Sequence, residues 1–227
     1  MRSLFAGIAL LAAVSSSAAA QITVTSSNGA PDPGPLAGQT NLLNFTGCTT
    51  PTGIVITGGA CKTTSSSGNW AQPARSFSGG AFYTTTSPYP SSTIVIDFST
   101  WLSTNAVSTV SSLSLYWGSI DSYQRLEVLD GSNNVLATIQ GSSFPPANGD
   151  QSGQTTNRRV NLAFGTSQAA SFRKLRFVSN QAAFEFDDVA LATSVVPEPA
   201  TVSLLAGALG LLGVFAGRRK RNANRVA

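Results

Sequence analysis

The residue types that do most enzyme chemistry are sparse in this chain. No histidine occurs in its 227 residues, so neither a Ser-His-Asp nor a Cys-His nucleophilic arrangement can be assembled. Paired carboxylates could still cleave a glycosidic bond. Most of the acids, however, fall in turn-like contexts such as Asp32, Asp130 and Asp150, where Asp is favoured for its own sake. The expectation is therefore a non-enzymatic protein, with a surface enzyme the least supported reading. Gly58-Gly59 and Gly79-Gly80 lack the strand and helix context of a phosphate-binding loop. The remaining chemistry is of three kinds. Asp187 and Asp188, with Asp121 and loop carbonyls, could supply hard oxygen ligands to calcium, the one plausible cofactor. Alternatively, Asp188 pairs with Arg173 or Arg176 or satisfies the backbone, and this is the favoured reading. Trp70 and Tyr89, both in loops, could stack on sugar rings, as could Trp101, Tyr83 and Tyr123. For each of these, ordinary packing is the competing explanation. Cys48 and Cys61 are the two cysteines of the chain. In an oxidising compartment they are expected to pair, and without histidine a zinc or copper site is poorly supplied.

The elements that would position these groups read as strands. No helical periodicity is apparent between residues 21 and 196, where short β-type runs alternate with Gly, Pro, Ser and Asn clusters. Leu113, Leu115 and Trp117 alternate with Ser112, Ser114 and Tyr116, which places one apolar face on a strand. Leu126 and Val128 continue the pattern, and Val135 to Ile139 follow a turn at Asp130-Gly131-Ser132-Asn133. The stretch from 111 to 139 is thus expected to form a three-stranded antiparallel meander. Trp117 belongs to the core side. Near the end, Phe184 and Phe186 share one parity and Val189 and Leu191 the other. Both pairs reach one core only if an extra residue is accommodated at Asp187-Asp188, that is, at a β-bulge. Ten or eleven strands and no helix to cover a parallel sheet predict an all-β fold: a two-layer antiparallel β-sandwich of jelly-roll type.

The two ends differ from this middle. Arg2, the apolar stretch Leu4 to Val14, and Ala18-Ala19-Ala20 before Gln21 form a secretory signal peptide over residues 1–20. Export by the Sec machinery and cleavage by signal peptidase follow from it. At the other end stand Pro197-Glu198-Pro199, an uncharged apolar run from Ala200 to Ala216, and Arg218-Arg219-Lys220-Arg221. Seventeen helical residues rise about 26 Å, slightly less than a hydrocarbon core of about 30 Å. The run is thus a marginal transmembrane helix, and its basic tail, 217–227, should stay cytoplasmic. Two prolines fix φ and remove donors, which keeps the tripeptide extended.

The formal charge of +4 resides in these ends. Between 21 and 196, eight Lys and Arg face nine Asp and Glu, a balance of −1 that gives nucleic-acid binding no electrostatic support. The middle is poor in charge and rich in Ser, Thr, Asn and Gly, which suits an extracellular β-protein.

Pro-Glu-Pro, a marginal span and a basic end, in that order, resemble the PEP-CTERM sorting signal of bacterial surface proteins. The resemblance covers residues 195–227. It implies recognition of Pro197, Glu198 and Pro199 by a membrane-embedded exosortase, then removal of the span and tail. It further implies transient residence in the inner membrane of a Gram-negative-type bacterium, then release to the cell surface or extracellular matrix. Surface polysaccharide is the plausible neighbour there. Tyr116-Trp117-Gly118-Ser119-Ile120-Asp121-Ser122-Tyr123 is similar to a segment of one subgroup of exosortase-dependent surface proteins. Phe184-Glu185-Phe186-Asp187-Asp188-Val189 resembles the final strand of carbohydrate-binding jelly rolls. Three domains are thus expected: the signal peptide 1–20, a β-sandwich ectodomain 21–194, and the sorting signal 195–227. The ectodomain is expected to be a surface or matrix protein, with a lectin-like carbohydrate-binding module as the alternative.

Overall fold

The computed structural model describes residues 21–77, 80–86 and 92–195. The signal peptide, Tyr89, the Pro-Glu-Pro motif, the apolar run and the basic tail lie outside the described residues. By internal contact the chain divides into two units, Met1–Ser194 and Val195–Ala227, and the fold below is that of the first.

Twelve strands occur among the described residues. They are β1 (Thr23–Asn28), β2 (Thr40–Leu43), β3 (Val55–Thr57), β4 (Ala60–Lys62), β5 (Phe82–Thr84), β6 (Ser92–Asp97), β7 (Val107–Gly118), β8 (Gln124–Asp130), β9 (Val135–Gln140), β10 (Arg158–Ala163), β11 (Phe172–Ser179) and β12 (Glu185–Val195). They build two antiparallel sheets. One runs β1-β10-β7-β12-β5-β4, with β2 also paired to β12; the other runs β3-β6-β11-β8-β9. The apolar parity of each strand faces the space between the sheets. Leu113, Leu115 and Trp117 of β7, Ile94 and Ile96 of β6, Leu126 and Val128 of β8, and Leu175 and Phe177 of β11 share one buried cluster. Phe177 of one sheet stacks on Phe186 of the other with ring centroids 3.9 Å apart. Trp117 stacks on Phe184 at 4.3 Å. Rings of this size supply much of the apolar area that holds two sheets together.

The meander expected between residues 111 and 139 does not form. β7 lies in the first sheet, whereas β8 and β9 lie in the second. The chain crosses between sheets over 118–123 instead of folding back in plane. Pro73 packs on the start of the crossing so closely that a Cβ on Gly118 would come within 2.7 Å of it. Ser119 follows with φ of 38°. A second departure is helical: α1 (Ser99–Thr104) and α2 (Thr166–Ser171) each make less than two turns, too short for apolar periodicity to show in the sequence.

β12 carries the phase change. Phe184, Phe186, Val189 and Leu191 all sit in the shared core, although they alternate out of step. Asp188 between them has φ of 51°, and the pairing of β12 with β2 shifts register at Val189–Ala190. The left-handed residue takes up the extra position, as a bulge requires. It also turns two carboxylates toward the outer face of the first sheet.

Candidate functional site

Two groups of polar residues are assembled on this frame, and a disulfide closes a third region. The disulfide joins Cys48 and Cys61, thirteen residues apart in sequence, with Cα atoms 5.6 Å apart. It ties the short turn before β3 to β4.

The first polar group is buried beneath the 29–34 and 74–77 loops. Arg159 of β10 and Asp32 are both buried, and the Arg159 Nη1 donates to Asp32 Oδ2 at 3.2 Å. Asp32 Oδ1 accepts from the Gly34 N–H at 3.1 Å. Ser76 Oγ bonds Asp188 Oδ2 at 2.9 Å and also bonds Asp187 Oδ2. Asn41 Nδ2 donates to Asp188 Oδ1 at 2.6 Å. Tyr116 caps the group, its hydroxyl 2.6 Å from the Ala74 carbonyl and in reach of that of Gly29. Burial pushes Asp187 up to about 8, aided by the adjacent Asp188 charge. Burial likewise raises Asp32, while Arg159 opposes the rise. The pair expected to serve calcium is thus bonded to Ser76 and Asn41, and the positive charge of the buried Arg159 acts on both carboxyls. Of the arginines expected to pair with Asp188, Arg176 pairs with Glu127 on the second sheet and Arg173 Nη1 donates to the Ala170 and Phe172 carbonyls; the ion pair of Arg159 is with Asp32. Among the described residues no set of three or more His, Cys, Asp or Glu side chains is grouped to hold a metal ion.

The second group forms a cleft of about 130 Å³ at one end of the sandwich, where the loops preceding β5, β8, β10 and β12 converge. Asn69, Trp70, Ser119, Asp121, Gln151 and Glu185 line it. Trp70 sits in a tight loop closed by Ser66 N–H to the Trp70 carbonyl at 2.9 Å. Its indole N–H donates to Thr64 O at 3.1 Å, and Lys62 Nζ stands 4.3 Å from the ring centre. The next residue, Ala71, donates its N–H to Glu185 Oε1 at 2.8 Å, and Ser119 Oγ donates to Glu185 Oε2 at 2.8 Å. Glu185 is 3 % exposed. Burial pushes it up to about 8 against those two hydrogen bonds. Asp121 is held by the Tyr123 hydroxyl at 2.6 Å and is also raised by burial. Gly149, at φ of 69°, lies so close that a Cβ would fall 2.5 Å from Asp121 Oδ2. Among the described residues neither carboxyl has a Lys or Arg within ion-pair distance.

The aromatic candidates therefore separate. Trp70 lines the cleft and Tyr123 buttresses it. Tyr83 packs between Phe45 and Phe186, and Trp101 packs against the core. Trp117 is fully buried, its indole N–H donating to Gln124 at 2.8 Å. Sequence reasoning missed Glu185, Arg159 and Asp32 as members of sites. Glu185 falls between two core phenylalanines, and its outward parity was the available signal.

Residues 195–221 match the family model of the PEP-CTERM protein-sorting motif. The chain carries a PEP-CTERM sorting signal. That signal implies export and exosortase-dependent sorting to the bacterial cell surface. It accounts for 27 residues at one end and leaves the sandwich unassigned. No curated protein matches the chain. A similar solved structure is that of a Streptococcus pneumoniae fucose binding module, with 13 % identity and a TM-score of 0.32, over 50 % of this chain and 72 % of the other.

Proposed function

We propose that this protein is a non-enzymatic component of the bacterial surface or extracellular matrix, delivered as a membrane-anchored precursor and released by an exosortase. The observation that carries the reading is the sorting motif over residues 195–221, with Pro197-Glu198-Pro199 ahead of an uncharged apolar run and Arg218-Arg219-Lys220-Arg221 behind it. In this reading the signal peptide starts translocation and the basic cluster stops it. The marginal span 200–216 then holds the tripeptide at the outer face of a Gram-negative-type inner membrane. Cleavage there removes the span and the tail. Replacing Glu198 by Ala tests the step: the variant should be exported yet remain full length in the membrane fraction.

A second reading, a carbohydrate-binding module on a jelly-roll sandwich, is favoured by one feature, the end-loop cleft with Trp70 at its edge. Calcium has weaker support. Asp187 and Asp188 are already satisfied by Ser76 and Asn41, and Arg159 supplies their positive charge.

A further inference from the structure

We propose that the cleft bounded by Trp70, Asp121 and Glu185 binds one neutral sugar residue of a polysaccharide and rejects uronates. The inference rests on the carbohydrate-binding reading and gives it a place and a specificity. Its size limits it to one ring: about 130 Å³, slightly less than a ~150 Å³ cavity that takes up a single benzene. Its chemistry fits as well. Sugar hydroxyls need acceptors, and Asp121 and Glu185 provide them. The side-chain amides of Asn69 and Gln151 can donate and accept, and Trp70 closes one edge.

The acceptors are fixed before any ligand arrives. Ala71 N–H and the Ser119 hydroxyl hold both oxygens of Glu185, and Tyr123 holds Asp121. Pre-organisation of this kind lowers the ordering cost of binding. Asp121 sets the charge preference. Among the described residues no Lys or Arg lines the cleft; Lys62 stands over the Trp70 ring instead. A uronate would place its carboxylate beside Asp121 in a partly desolvated site with no Lys or Arg in its lining among the described residues, while the buried Glu185, pushed up to about 8, offers a neutral carboxyl that a sugar hydroxyl can use.

The test is affinity electrophoresis and calorimetry of the mature protein with a dextran, a mannan and a galactan as neutral polymers and alginate as the polyuronate. At least one neutral polymer should bind and alginate should not. Trp70→Ala and Gln151→Ala should each weaken that binding about tenfold or more while leaving the melting midpoint within about 2 °C. Asp121→Asn supplies a third probe should Trp70→Ala disturb its loop. Neutral-polymer binding unchanged in all three variants would overturn the cleft assignment and leave the carbohydrate reading standing. Alginate bound as tightly as the neutral polymers would overturn the charge preference. Absence of binding to every polymer would sink both the cleft assignment and the carbohydrate reading, without touching the sorting reading.

Discussion

Replacing Arg159 by Met removes the positive charge from a buried group that holds Asp32, Asp187 and Asp188. Arg159 and its partner Asp32 have side chains 1 % and 0 % exposed, so solvent cannot take over the role of the guanidinium. Breaking one side of a buried ion pair costs about 3–5 kcal/mol, because the other side is left desolvated. For a domain of this size about 2–4 °C is lost per kcal/mol, which predicts a fall in melting midpoint on the order of 6–20 °C. The loss should depend on pH. Asp32 is already pushed upward by burial and is restrained by Arg159. Without the arginine it rises further and escapes the penalty by protonating. The penalty of Arg159→Met should therefore be smaller at pH 5 than at pH 8. Adding Asp32→Leu to Arg159→Met should recover part of the loss, since the ion-pair partner of Arg159 is then gone and Asp187 and Asp188 keep their bonds to Ser76 and Asn41. Differential scanning fluorimetry of the two single variants and the double variant at both pH values gives the coupling. A loss under about 1 kcal/mol at pH 8, or a double variant no more stable than Arg159→Met, would refute the claim that this pair is buried and mutually dependent.

Two further outcomes follow from the same structure. Glu185 and Asp187 are each raised to about 8, chiefly by burial, so the folded state holds protons that the unfolded chain releases near pH 4. Their contribution is present below the unfolded values and is lost as pH rises through the folded ones, so the melting midpoint should fall between about pH 5 and pH 8.5; Asp187→Asn should flatten the fall, and a midpoint that instead climbs with pH contradicts the assignment. Trp117→Ala should cost about 3–5 kcal/mol, since it deletes the ring stacked on Phe184 and removes a donor from Gln124; a melting curve superimposable on the parent would show that Trp117 is not in the core.

Some of this was legible in the sequence because it follows from parity. The alternation at Leu113, Leu115 and Trp117 gave the inward face of β7. The out-of-step pairs Phe184/Phe186 and Val189/Leu191 located the position where Asp188 adopts a positive φ. Two cysteines in an exported chain gave the Cys48–Cys61 bridge. The sheet that each strand joins was not legible. β7, β8 and β9 are consecutive and alternating, and nothing in their pattern distinguishes a hairpin from a crossing between sheets; Pro73 packing on Gly118 is a contact made by residues 45 positions apart. The buried polar group was hidden for a related reason. Arg159 shares the outward parity of its strand with Asn161, and only the loops folded over that face bury it. Asp32 looked like a turn residue, and its bond to the Gly34 N–H is of that kind, but its second oxygen serves Arg159.

The central claim is that the chain is a precursor cut at its sorting signal, and intact-mass analysis of the protein recovered from the cell surface or culture medium tests it most directly. The account predicts a species that begins near Gln21, ends near Pro197-Glu198-Pro199, and is lighter by an internal disulfide's two hydrogens than the reduced chain. A surface-fraction species still carrying Arg218 to Ala227 would contradict it.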